Sequence, residues 1–242
     1  MYHRTRWTPE KIKQRLELIS PLVHIKRKSL PAFRYLELEG PLAPAPVGKD
    51  VDESKWKEIN TNEYWGSWMQ DFALRTTFTI PESMDVGEPI ALYLPLGEAG
   101  DFSHPECLTY IDGLPYATCD RHHQEILLKP EWCDGKEHIL ALHGWTGLGG
   151  FASKEPFSKL FMHQCAVVQI HQCARDFIVL SRIALETANH LDDNNPAKHH
   201  LFNALNDAFN SLETRDPIGD ERFYASIESA TQILKTGIDK AG

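Results

Sequence analysis

Phe72-Ala-Leu-Arg-Thr-Thr-Phe-Thr-Ile80, closed by Pro81, decides how this chain is read. Aromatic and β-branched residues crowd it, and apolar side chains at Phe72, Leu74, Phe78 and Ile80 keep the period of two that a half-buried strand needs. Short runs of the same texture follow at Ile90-Ala-Leu-Tyr-Leu94, Leu108-Thr-Tyr-Ile111, Glu125-Ile-Leu-Leu128 and His138-Ile-Leu-Ala-Leu142. Turn residues separate them at intervals of about ten residues. Asp112-Gly113, with apolar residues on both sides, marks a tight hairpin. No helical pattern intervenes, so residues 61–170 are expected to form an antiparallel β-sandwich of jelly-roll type.

Upstream, residues 1–60 are expected to hold one helix and an extended connector. Thr8 as N-cap, Pro9 in the first turn and Glu10 at the positive end make a good helix start, and Ile12, Leu16 and Ile19 follow at helical spacing. Ser20-Pro21 ends it. Pro41-Leu-Ala-Pro44-Ala-Pro46-Val-Gly48 then reads as a connector without its own core, laid across another domain. Downstream, residues 171–242 read as helix. Phe177, Ile178, Leu180, Ile183, Ala184 and Leu185 keep a helical period, and so do Leu201, Phe202, Leu205, Ala208, Phe209 and Leu212. Between these runs Asn195 reads as a cap and Pro196 as the first helical residue, and a last helix from about Glu221 to Lys235 has Gly237 as its C′ residue. The fold class is mainly β plus α, a sandwich followed by a small helical segment. Helices of this length need the sandwich, or something beyond them, to pack against.

The 242 residues suffice for one large domain or two small ones, and 42% apolar with 24% charged residues is the balance of a soluble globular chain. A net charge of −9 argues against a nucleic-acid partner, because the one basic run, His24-Ile25-Lys26-Arg27-Lys28, is short and reads as a solvated edge. No apolar run reaches the ~20 residues of a membrane span, so no membrane partner is expected. Met1 to Trp7 lacks the apolar stretch of a secretory signal, which places the chain in the cytoplasm. Cys107, Cys119, Cys133, Cys165 and Cys173 are odd in number and form no C-x-x-C, as reduced structural thiols would.

Three clusters invite a chemical reading. Cys119 with His122 and His123 has tolerable metal-ligand spacing but no matching second pair, so surface and turn histidines are the plainer account. Gly147-Leu148-Gly149-Gly150 follows a strand yet lacks the G-x-G-x-x-G order of a nucleotide loop. No G-x-S-x-G occurs, and no cysteine is singled out as a nucleophile. Tyr64-Trp65-Gly66-Ser67-Trp68, joined by Trp145 at a strand end, could form an aromatic platform for a sugar's apolar face, or could close one end of the sandwich core. Trp65, Trp68 and Trp145 are therefore the candidate sugar contacts, and no residue is assigned as catalytic, cofactor-binding or metal-binding.

Tyr110-Ile-Asp112-Gly113-Leu-Pro115, followed by Cys119-Asp120-Arg121-His122-His123-Gln-Glu125-Ile126, resembles the β-sandwich region that precedes the catalytic barrel in the cytosolic and vacuolar α-mannosidases of glycoside hydrolase family 38. The Trp65-Gly66-Ser67-Trp68 stretch leading into Phe72 and the helices after the sandwich are similar as well. The resemblance implies a galactose-binding-like sandwich serving as the non-catalytic front of a retaining, metal-dependent α-mannosidase. The family's Gly-x-x-His-x-Asp stretch is absent from these residues. The resemblance therefore implies no cofactor in this segment, with zinc or cobalt held in a catalytic domain beyond Gly242. The implied partners are that domain, mannose-containing oligosaccharides and a second copy of the chain. The alternative from the residues alone is a free-standing carbohydrate-binding sandwich.

Overall fold

The computed structural model describes residues 7–97, 104–147 and 159–242. Its strands are β1 (His24–Ser29), β2 (Phe33–Glu37), β3 (Lys57–Ile59), β4 (Glu63–Trp65), β5 (Asp71–Phe78), β6 (Ile90–Tyr93), β7 (Glu106–Ile111), β8 (Leu114–Cys119), β9 (Glu125–Leu127), β10 (His138–Trp145), β11 (Leu160–Met162) and β12 (Ala166–Ile170). Its helices are α1 (Thr8–Ile19), α2 (Gln172–His190), α3 (Pro196–Ser211) and α4 (Glu221–Asp239).

A six-stranded sheet runs β3-β2-β5-β10-β7-β8, a four-stranded sheet runs β1-β12-β6-β9, and β11 pairs with β4 in a short ribbon. From β5 to β12 the chain passes back and forth between the two larger sheets, the crossing pattern expected of a jelly-roll sandwich. Phe72, Leu74 and Phe78 of β5 and Leu140 and Leu142 of β10 face inward, against Ile90 and Leu92 of β6 and Val167 of β12. These two central strands pair antiparallel, with Leu142 opposite Leu74 and His138 opposite Phe78. At the β7–β8 hairpin Asp112 and Gly113 have φ of 53° and 82°, the two positive values of a type I′ turn.

Strand β5 is buried on both faces, which a period-two strand with one wet face would not be. The cause is the segment between β2 and β3, which crosses the outer face. Arg75 points outward from β5, is 1% exposed, and donates to the carbonyls of Pro46 (3.2 Å) and Gly48 (2.9 Å) and to the Glu53 carboxylate. The proline-rich connector therefore belongs to the sandwich, pinned by a buried guanidinium.

The structure divides the chain differently from the expected boundaries at 60 and 170. One unit is Lys26–Gln169; the other joins the residues up to Ile25 with Ile170–Gly242. Residues 24–37 are strands, not connector: β1 pairs within the four-stranded sheet, and β2 lies between β3 and β5. Helix α1 supplies the partner that the C-terminal helices were expected to need. Its Ile12, Leu16 and Ile19 share a core with Phe177 of α2, Leu205 and Phe209 of α3, and Phe223 and Leu234 of α4. The helix signals hold at Asn195, whose side chain accepts from the Ala197 N–H, with Pro196 first in α3. Thr8 does not cap; it is already helical. Among the described residues no helix is long and apolar enough to cross a membrane.

Gly237 is no C′ residue either. It lies inside α4, and a Cβ there would come 2.1 Å from Ala204 Cβ of α3, so its role is close helix approach. Helix propensity alone would make Gly237→Ala stabilising by about 1 kcal/mol. The clash reverses the sign, and the expected result is a loss of roughly 1–3 kcal/mol, read as a lower thermal midpoint.

Candidate functional site

The three tryptophans do not form one platform. Trp65 is 1% exposed, packs edge-on against Phe72 (5.0 Å) and Tyr35 (5.9 Å), and donates its indole N–H to the Leu96 carbonyl at 2.7 Å. It is a core plug, and the expectation of a sugar contact there is corrected. Trp68 is half-buried against the same core. Trp145 stands on the other face of β10, since Leu140 and Leu142 point inward and side chains alternate. Its strand neighbours are Asp71 and Glu106.

The Cys119 and histidine cluster does not converge on a metal. Cys119 is buried with its thiol donating to the Leu94 carbonyl, while His122 and His123 are exposed in a turn organised by Asp120. Asp120 Oδ1 accepts the backbone N–H groups of His122 (2.6 Å) and His123 (2.9 Å), and the His123 ring nitrogen lies 3.0 Å from the same carboxylate. Burial alone would raise the Asp120 carboxyl, but these hydrogen bonds outweigh it and hold it below the usual carboxylate range. Among the described residues no three His, Cys, Asp or Glu side chains are grouped to hold a metal. Of the glycine loop, Gly147 is described, with φ 67°, and Leu148 to Gly150 lie outside the described residues.

A histidine held between two carboxylates superficially suggests catalysis. His138 Nδ1 lies 2.9 Å from Asp112 Oδ2, and its Nε2 lies 3.0 Å from Asp134 Oδ1. Asp112 Oδ1 also accepts the Ile139 N–H at 3.0 Å, so the group ties the β7–β8 turn to the start of β10. The bonds at His138 and Asp112 give the group a mechanical role. Burial works to raise Asp112, yet His138, Ile139 and Lys49 together hold it low, and hydrogen bonds from Lys136 hold Asp134 low. A carboxyl depressed in the folded state stabilises above its unfolded pKa, and that stability is lost as pH falls through the folded value. Urea midpoints should therefore drop between about pH 5 and pH 2. Asp112→Asn, which keeps the turn and the acceptor for Ile139, should flatten that acid limb; an unchanged limb would show that these carboxylates do not set it.

The strongest candidate site is an open polar cleft of about 520 Å³ at the edge of the four-stranded sheet, within the size range of small-ligand sites. Five separated segments build it: Arg27 from β1, Asn62 before β4, Tyr93 and Gly97 at and beyond β6, Gln124 from the turn before β9, and His163 and Gln164 from the turn before β12. The frame is backbone. Asn62 N–H donates to Met162 O (2.7 Å), His163 N–H to Pro95 O (3.0 Å) and Leu94 N–H to Gln124 O (2.8 Å). At Gly97, with φ 120°, a Cβ would meet the Phe161 carbonyl oxygen at 2.6 Å, so only glycine lets these two segments close the floor. Arg27 lies over the Tyr93 ring, 5.2 Å from its centroid, and Tyr64, Phe161 and His163 form an edge-to-face aromatic row beside it. Burial raises the Tyr93 phenol, with Arg27 opposing and Glu125 adding to the effect.

Four of these side chains are unspent. Asn62, Gln124, His163 and Arg27 make no side-chain hydrogen bond or ion pair among the described residues, whereas Gln164 donates to Ser29 Oγ at 2.7 Å. None of them was a candidate from sequence. Arg27 lies in the run that reads as a solvated edge, Gln124 lies in the stretch that carries the resemblance but has no role assigned there, and Asn62 and His163 belong to no motif.

No family model matches the chain, and no curated protein matches it. Among solved structures it is similar to a glycosyl hydrolase family 2 member from Bacteroides cellulosilyticus (13% identity, TM-score 0.38, 60% of this chain and 20% of that one). It is also similar to a β-glycosidase from Bacteroides vulgatus (12% identity, TM-score 0.41, 60% and 20%) and a Bacteroides uniformis β-glucuronidase (15% identity, TM-score 0.40, 59% and 18%). The chain thus spans about a fifth of the length of these proteins. The resemblance to glycoside hydrolase family 38 is corrected by these findings: no family model supports it, and the structural neighbours bear the name of family 2 or of β-glycosidases.

Proposed function

We propose that this chain is a carbohydrate-binding protein whose β-sandwich holds a saccharide in the cleft between Arg27, Asn62, Tyr93, Gln124 and His163. The observation that carries the reading is the set of unspent side chains around that cleft. An amide offers two donors and an acceptor in one plane, and an imidazole offers one of each, which suits the adjacent hydroxyls of a sugar. The aromatic edge supplies the apolar contact that a sugar's C–H face requires. Among the described residues no Asp or Glu lines the cleft, and the reading is therefore binding without cleavage.

Calorimetric titration of the full chain with a panel of oligosaccharides tests this. At least one should bind saturably. Asn62 has φ 64°, so glycine replaces it without strain, and the double variant Asn62→Gly/Gln124→Ala should lose about tenfold in affinity, ~1.4 kcal/mol for two polar contacts, with little change in thermal midpoint. Failure of every saccharide, or undiminished binding by the double variant, would refute the assignment.

Trp145 supports a second reading. It neighbours a smaller hollow of about 360 Å³ on the outer face of β7, β8 and β10, lined by Glu106, Thr118, Asp120 and His143. Binding that vanishes in Trp145→Ala and survives the double variant would move the site there.

A further inference from the structure

We infer that the saccharide held in this cleft carries an anionic group, a carboxylate or a sulfate, and that Arg27 reads it; this rests on the carbohydrate-binding reading above. Among the described lining residues Arg27 is the one side chain of fixed charge, and none of them is a carboxylate. The three bases of β1 are sorted by strand alternation. Lys26 donates to the Ser83 carbonyl and Lys28 to the Thr79 carbonyl, so the residues on either side of Arg27 are spent on backbone elsewhere. Arg27 alone turns to the cleft, where it lies over Tyr93 without an ion pair among the described residues. The opposite partner of Tyr93 in β12 is Ala166, a side chain too small to take part.

A guanidinium laid against a ring loses little further freedom on binding and keeps its N–H edges for a ligand. Those edges match the two oxygens of a carboxylate or sulfate, and a charge-assisted pair is roughly twice as strong as a neutral one. The ligand's charge is therefore directed to the β1 end of the cleft, and its neutral hydroxyls face Gln124.

The test is calorimetric titration of the full chain with a panel of uronate and sulfated oligosaccharides, each beside its carboxyl-reduced or desulfated counterpart. The acidic member of at least one pair should bind about tenfold tighter than its neutral form. In Arg27→Gln that difference should disappear, whereas Lys26→Gln, altered on the other face of the same strand, should retain it. Equal affinities within every pair, or a difference that survives Arg27→Gln, would overturn the anionic reading and leave saccharide binding intact. No binding by any member, acidic or neutral, would overturn both.

Discussion

Trp65→Ala should lower the stability of the chain by about 3–5 kcal/mol, the cost of removing a large buried aromatic. Trp65 sits among Tyr35, Phe72 and the rest of the sandwich core, with no solvent face to offer a ligand. The loss has two parts that a second substitution separates. Trp65→Phe keeps an aromatic ring in the core but deletes the indole N–H, leaving the Leu96 carbonyl without that donor. Its cost should be nearer 1 kcal/mol, the usual worth of one such bond. Urea unfolding of both variants checks the pair. A Trp65→Ala protein of unchanged stability that failed to bind sugar would mean that the indole is a platform after all.

Removal of Arg75 should come close in size, about 3–5 kcal/mol, because its guanidinium is buried and paired. Arg75→Ala strands the Glu53 carboxylate and frees the carbonyls of Pro46 and Gly48 together. Arg75→Lys should rescue little, since one ammonium cannot reach a carboxylate and two carbonyls in the planar spread of the native fork. The effect should also be local in a way that a core cavity is not. Hydrogen exchange ought to rise first across residues 40–56, the segment that the Arg75 guanidinium ties to the outer face. Exchange that stayed slow there would show that the segment is held by other contacts.

What the sequence reveals and what it hides follow the same physical rule. Phe72–Ile80 and His138–Leu142 are long enough for their period to show, and Asp112-Gly113 carries a turn whose φ values only a few residues accept. Strands β3, β4 and β11, at three residues each, are too short to display a period at all. Strand β1 reads as polar because it is an exposed edge, and its lysines reach carbonyls while keeping contact with solvent. Gly237 shows why glycine is ambiguous: the same residue serves a helix end or a close crossing, and only Ala204 decides between them. Tryptophans at 65, 68 and 145 look alike in sequence, while strand alternation sends one inward and another outward. The cleft was hidden for a different reason. Its residues come from positions as far apart as 27 and 164 and are ordinary polar types, so no spacing announces them. A resemblance built on the order of common elements, strand, Asp-Gly turn and helix, crossed the site only at Gln124 and gave that residue no role.

The measurement that bears most directly on carbohydrate binding in the cleft is a map of amide chemical shifts of the full chain during titration with an oligosaccharide that binds. The account predicts that the shifting amides cluster at Arg27, Asn62, Tyr93, Gln124 and His163, and leave Trp145 and His143 where they were. Shifts confined to Trp145, Glu106 and His143, with the cleft unmoved, would contradict it.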